Sequence, residues 1–120
     1  MNDILIVDDN DDIRRLLRYT LEPDYHVWEA ADGIGALNVV RELRPKLVFL
    51  DVMMPGELNG LQVLSAIRED KNLRETQVIM ITARGQEQDY ENARKHGADG
   101  YIVKPFGTLG LLHWVRANLK

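Results

Sequence analysis

Short apolar runs that alternate with helical patterns from end to end restrict this chain to a narrow set of folds. Ile4-Leu5-Ile6-Val7, Leu47-Val48-Phe49-Leu50 and Val78-Ile79-Met80-Ile81 are apolar without interruption. A strand buried on both faces reads this way, whereas a half-exposed strand alternates. His26 to Ala30 and Tyr101-Ile102-Val103 are shorter stretches that also read as strands. Between them, apolar residues recur at helical spacing: Ile13, Leu16, Leu17 and Leu21; Ala36, Leu37, Val40 and Leu43; Leu61, Val63, Leu64 and Ile67; and Leu111, Leu112, Val115 and Leu119. Asn10 or Asp11 can cap the first helix and Pro23 ends it. Asp32-Gly33 marks a turn, Pro45 closes the second helix, and Pro55-Gly56 opens a loop. Strands alternating with helices pair in parallel through right-handed crossovers. The expected architecture is therefore an α/β, doubly wound, five-stranded parallel sheet flanked by five helices, one domain over residues 1–120.

The segment from Gln86 to His96 differs from the other helices. Its only apolar residues are Tyr90 and Ala93, and Gly97 suits its stop, so this helix is expected to be the least firmly packed. With 45% hydrophobic and 28% charged residues the chain fits a globular domain that needs no covalent staple. It has no cysteine, which excludes a disulfide framework and thiolate metal sites. Neither a signal peptide nor a membrane-length apolar run is visible, so a cytoplasmic location is expected, with no membrane partner. The net charge of −4 argues against direct nucleic-acid binding. Arg14, Arg15 and Arg18 do cluster, but that pattern reads as a solvated helix face.

In a doubly wound sheet, ligands bind beyond the carboxyl ends of the strands. Asp8-Asp9 follow the first strand, Asp51 the third, Thr82 the fourth and Lys104-Pro105 the fifth. Singly, each has a bland role as a cap, a strand end or an exposed lysine. Jointly, three carboxylates, a hydroxyl and an ammonium on one edge are hard to place by chance. The carboxylates repel one another, and a hard divalent cation such as Mg2+ would relieve this. A carboxylate can attack phosphorus to give an acyl phosphate, and a cation, Lys104 and Thr82 would balance the charge of the transferring group.

The order Asp8-Asp9, Asp51 followed by Met54-Pro55, Thr82-Ala83 and Lys104-Pro105-Phe106 resembles the receiver domain of bacterial two-component response regulators, over essentially the whole chain. The resemblance implies a flavodoxin-like strand order 2-1-3-4-5. It implies Asp51 as phosphoacceptor, Asp9 as a direct Mg2+ ligand, Asp8 as a helper at the metal, and the backbone carbonyl of Met53 as a third protein ligand. Thr82 and Tyr101 match the switch pair, and Lys104 the phosphate-binding lysine. Met53 and Arg84 match variable positions that tune the phosphoryl lifetime. The same match implies a signalling domain and not an enzyme on external substrates. Its phosphodonor is a histidine kinase or histidine phosphotransfer protein. Its output passes through the face formed by the fourth helix, fifth strand and fifth helix, to an output domain, a downstream protein or a phosphorylation-dependent homodimer. Trp114 flanks the last apolar stripe and suits either such an interface or the edge of the core. One departure from the family pattern concerns the glycine that commonly stands four residues after the Met-Pro proline. Here Gly60 comes five residues after Pro55, so the loop from Gly56 to Gly60 is one residue longer.

Rival readings fare worse. A flavin module needs a phosphate loop where Asp8 to Asp12 is acidic, and aspartyl phosphohydrolases commonly carry a second acid where Met53 stands. A degenerate receiver would lack acceptor residues that are all present. The chain stops just after the last helix, which leaves both a single-domain regulator and a fragment of a longer protein open.

Overall fold

The computed structural model describes residues 2–54, 56–83 and 87–119. Its elements run β1 (Asp3–Val7), α1 (Asp11–Leu21), β2 (His26–Ala30), α2 (Gly33–Leu43), β3 (Leu47–Asp51), α3 (Gly60–Glu69), a 3-10 turn (Lys71–Leu73), β4 (Gln77–Thr82), α4 (Glu87–Lys95), β5 (Gly100–Val103) and α5 (Thr108–Asn118). All strand pairs are parallel, in the order β2-β1-β3-β4-β5. The alternation of apolar runs and helical stripes thus yields the doubly wound sheet it predicts, and β2 keeps the bounds read from the sequence.

The two-residue period of a strand divides the core into two layers. Leu5, Val7, Val48, Leu50, Val78 and Met80 meet Ala36, Leu37 and Val40 of α2, Val63, Leu64 and Ile67 of α3, and Ala93 of α4. Ile4, Ile6, Leu47, Phe49, Ile79 and Ile81 meet Leu17 and Leu21 of α1 and Leu111, Val115 and Leu119 on the α5 side. This is why the central runs are apolar at every position. Leu17 and Leu21 are fully buried, and each such side chain contributes about 2 kcal/mol by leaving water.

Local signals set the helix starts. Asn10 accepts from the backbone N–H groups of Asp12 and Ile13 at 2.8 and 3.2 Å, which settles the first cap in its favour over Asp11. Asp32 caps α2 through the N–H of Gly35 at 2.7 Å. Asn59 and Gln62 form a reciprocal capping box at the start of α3. Helix α4 buries only Ala93, as its composition foretells. Its far end is held by Arg68 of α3, which donates to the carbonyls of Gly97 and Thr76, each at 2.8 Å, and pairs with Asp99 at 2.8 Å. Gly97 has φ +98°, and a β-carbon there would approach Arg68 Cγ to 2.8 Å, so both its conformation and its neighbour require glycine.

Candidate functional site

The sheet register assembles the site. Val7 is level with Leu50, Asp51 with Ile81, and Thr82 with Val103. The ladders continue one step past the strands: Asp8 N–H donates to Ala30 at 3.2 Å, Val52 N–H to Ile81 at 3.0 Å, and Lys104 N–H to Thr82 at 2.7 Å. Asp8, Asp51, Thr82 and Lys104 therefore sit on backbone that is fixed by hydrogen bonds, and not on free loops. By parity, Asp8, Asp51 and Lys104 follow Ile6, Phe49 and Ile102 on the α1/α5 layer, whereas Thr82 follows Met80 on the layer that carries α4. The Lys104–Pro105 peptide is cis.

The acidic groups converge as the sequence predicts. Carboxylate oxygens of Asp8, Asp9 and Asp51 lie within 4.8 Å of one another. Asp8 and Asp51 are buried, while Asp9 is exposed at the rim. Asp8 Oδ1 accepts from the N–H of Asn10 at 2.9 Å. Its Oδ2 is buried without a well-directed hydrogen bond and has the ammonium of Lys104 as an ionic neighbour 3.0 Å away. Lys104 also lies 3.6 Å from Asp51 Oδ2, and Asp51 Oδ1 accepts weakly from the N–H of Met53 at 3.3 Å.

The electrostatics follow from this crowding. Burial, reinforced by the charge of Asp8, pushes the Asp51 carboxyl up to about 6, against the pull of Lys104. Burial also works against the Lys104 ammonium, but its pairing with Asp8 and the charge of Asp51 outweigh this, and its pKa is raised. An all-oxygen donor set with an underused, buried carboxylate oxygen fits a hard divalent cation, so the residues present suit Mg2+.

The other predicted residues that are described lie on β4, β5, α5 and the segment after β3. Thr82 is buried at the end of β4. Tyr101 is half-buried in β5 and packs on Tyr90 of α4, with ring centroids 4.2 Å apart. Met53, two residues past the candidate acceptor, is 67% exposed. Arg84 and Pro55 lie outside the described residues. Trp114 is half-buried against the α5 layer, close to Gly100, and so covers an edge of the core.

The longer loop returns to the acceptor strand at Gly60. Gly60 N–H donates to the Val52 carbonyl at 3.0 Å, and a β-carbon on Gly60 would clash with the Asp51 carbonyl oxygen and come within 2.8 Å of Val52 Cα. The displaced glycine is thus the one that packs against the acceptor strand. Ahead of it in the same loop, Gly56 is exposed at φ +99°.

One residue was misread from the sequence. Arg14, grouped with Arg15 and Arg18 as a solvated face, has a side chain only 15% exposed, whereas Arg15 is 64% exposed. Arg14 donates to the Asp8 carbonyl at 2.5 Å and to Glu29 of β2 at 3.0 Å, and it pairs with Asp11. Arg18 pairs with the same Glu29 at 2.7 Å. The available signal was Glu29, an acidic residue on a neighbouring strand that offers these arginines a partner.

Comparison with known proteins agrees with this geometry. A family model described as the response regulator receiver domain matches residues 4–116. The transcriptional regulatory protein SrrA of Staphylococcus aureus is 42% identical over 120 residues, covering 99% of this chain and 48% of that protein. The chain thus spans about half the length of the curated relatives it matches. Among solved structures, the Vibrio cholerae chemotaxis protein CheY4 superposes with a TM-score of 0.91 at 32% identity, over 99% of both chains. A LuxR-family DNA-binding response regulator from Staphylococcus aureus superposes with a TM-score of 0.87 at 26% identity, over 98% of both.

Proposed function

This chain belongs to the response regulator receiver domain family, and we propose that Asp51 is the residue through which it accepts a phosphoryl group in a Mg2+-dependent reaction. The observation that carries this reading is the setting of Asp51: a buried carboxylate at the end of the third strand, with two further carboxylates and the ammonium of Lys104 around it. Asp9, Asp51 and the Met53 carbonyl are the proposed ligands of the cation, with Asp8 behind them. When bound, the cation offsets the carboxylate charge and that of the phosphoryl oxygens.

Asp51 attacks as a carboxylate, so no proton has to leave the nucleophile. One of its oxygens forms a bond to phosphorus as the bond from phosphorus to the donor's nitrogen or oxygen breaks, and the leaving group keeps that electron pair. The product is an acyl phosphate. Lys104 faces the developing charge as a fixed cation, and Thr82 donates its hydroxyl to a phosphoryl oxygen. Thr82 and Tyr101 both belong to the layer that carries α4, so movement of Thr82 towards the phosphoryl group is felt by α4 and its Tyr90–Tyr101 contact. Helix α4 buries only Ala93, and the turn that follows it is held by Arg68 through the Gly97 carbonyl, so its repacking is the proposed readout.

The proposed donors are a histidine kinase or a histidine phosphotransfer protein, and acetyl phosphate serves in vitro. The proposed output surface is α4, β5 and α5, presented to an output domain, a downstream protein or a second copy. Met53 at the rim shields phosphorus from water without orienting it, which favours a slowly hydrolysing phosphoprotein. Arg84 has a proposed part in the same lifetime. Intact-mass spectrometry after incubation with acetyl phosphate should show gain of one phosphoryl group with Mg2+ and none with EDTA. Asp51→Asn should gain none. A hydroxylamine-labile phosphoryl group on that variant would overturn the assignment.

A further inference from the structure

The carboxylate of Asp9 has no hydrogen-bond or ion-pair partner among the described residues, although it is the group expected to bind the cation directly. Its direction is therefore set by the backbone on either side. Before it, the Asp8 N–H is held by the Ala30 carbonyl at 3.2 Å and the Asp8 carbonyl by Arg14 at 2.5 Å. After it, the Asn10 N–H donates to Asp8 Oδ1 and the Asn10 side chain caps α1. The peptide unit joining Asp8 to Asp9 is planar, so fixing the Asp8 carbonyl also fixes the plane from which Asp9 departs.

We infer that Arg14 is a positioning residue for the divalent-cation site, acting through the Asp8 carbonyl to aim Asp9 at the pocket. The inference rests on the Mg2+ reading given above. The three nitrogens of Arg14 are engaged separately: Nε with Glu29 at 3.0 Å, one terminal nitrogen with the Asp8 carbonyl and the other with Asp11. Glu29 is held in turn by Arg18 at 2.7 Å, so the fork is braced against β2. A lysine keeps the charge but cannot hold Asp8 and Glu29 at once.

Charge alone makes the opposite forecast. Arg14 is a cation close to an acidic pocket, so its removal would tighten Mg2+ binding if only its field mattered. If it positions Asp9, its removal weakens binding, and loss of such an outer partner costs about tenfold in metal affinity or more. The test is isothermal titration of the whole chain with MgCl2, with urea midpoints measured on the same samples to show which variants are folded. Arg14→Ala should bind Mg2+ about tenfold more weakly. Arg14→Lys should also weaken it despite keeping the charge. Arg15→Ala removes the same charge from the same helix without touching Asp8 or Glu29, and should leave the affinity unchanged. Should Arg14→Ala not fold, Arg14→Lys and Glu29→Gln carry the test, both in the weaker direction.

A folded Arg14 variant that binds Mg2+ as well as the parent, or better, overturns the inference, as does an Arg15→Ala loss equal to that of Arg14→Ala. Absence of Mg2+ binding by the parent removes the cation reading and this inference with it, whereas an unchanged Arg14→Ala beside a binding parent overturns this inference alone.

Discussion

Replacing Asp51 with Asn should make the metal-free protein more stable at neutral pH, by an amount the site itself supplies. In the unfolded chain this carboxyl ionises near 3.8, and in the folded protein at about 6, because it is buried beside Asp8. Between those values the folded protein holds a proton that the unfolded chain has released. Stability therefore falls as pH rises from about 4 to about 6, and above that window the full cost of an ionised, buried Asp51 is present. At about 1.4 kcal/mol per pH unit the gap corresponds to about 3 kcal/mol. That gap is already net of the pull of Lys104, and Lys104 keeps Asp8 at 3.0 Å as its partner in the variant. The expected gain for Asp51→Asn in EDTA at pH 7.5 is thus about 2–3 kcal/mol, or roughly 10 °C in Tm. The gain should shrink towards zero near pH 4. Urea unfolding of parent and variant across that range, read by circular dichroism, measures it. A variant no more stable than the parent at pH 7.5, or a gain that ignores pH, would refute the reasoning.

Three further outcomes follow from the same geometry. Lys104→Met leaves buried Asp8 and Asp51 without their ammonium neighbour, and should cost about 2–3 kcal/mol in EDTA, allowing for water at the rim; Mg2+ should restore part of it, and urea midpoints with and without the ion decide. Gly60→Ala sets a β-carbon against backbone that cannot give way, so it should destabilise by about 2 kcal/mol or more, and a parental melting temperature would contradict the packing. Met53→Asn should speed loss of the phosphoryl group several-fold without preventing its formation; equal decay of labelled phosphoprotein after donor removal would place control of water elsewhere.

Most of the fold was legible because its strands are buried on both faces, so Ile4 to Val7, Leu47 to Leu50 and Val78 to Ile81 stand out as unbroken apolar runs. Once those runs are strands of one parallel sheet, Asp8, Asp51 and Lys104 meet, and Thr82 stands at the end of the neighbouring strand. The weak packing of α4 was equally visible, since Ala93 is the one residue it buries. Arg14 and Arg68 were not legible. Each is tied to groups far away in sequence or to backbone carbonyls, and a local charge pattern cannot distinguish such an arginine from a solvated one. The path of the longer loop was also hidden, because its outcome depends on where Gly60 packs and not on the number of residues before it.

That packing has a consequence for engineering and for drift in length. Gly60 is fastened to the Val52 carbonyl, and Asn59 is locked by its reciprocal cap with Gln62. Both anchors lie after Gly56, which has nothing within 4 Å of where a β-carbon would be. The stretch at Gly56-Glu57 therefore lies between the hydrogen-bonded end of the acceptor strand at Val52 and the fastened start of α3. The added closure entropy of a few more residues is small, well under about 1 kcal/mol. An epitope or a small fluorescent tag inserted there would sit at the mouth of the site, next to the event it is meant to report, while the strand that carries Asp51 keeps its register.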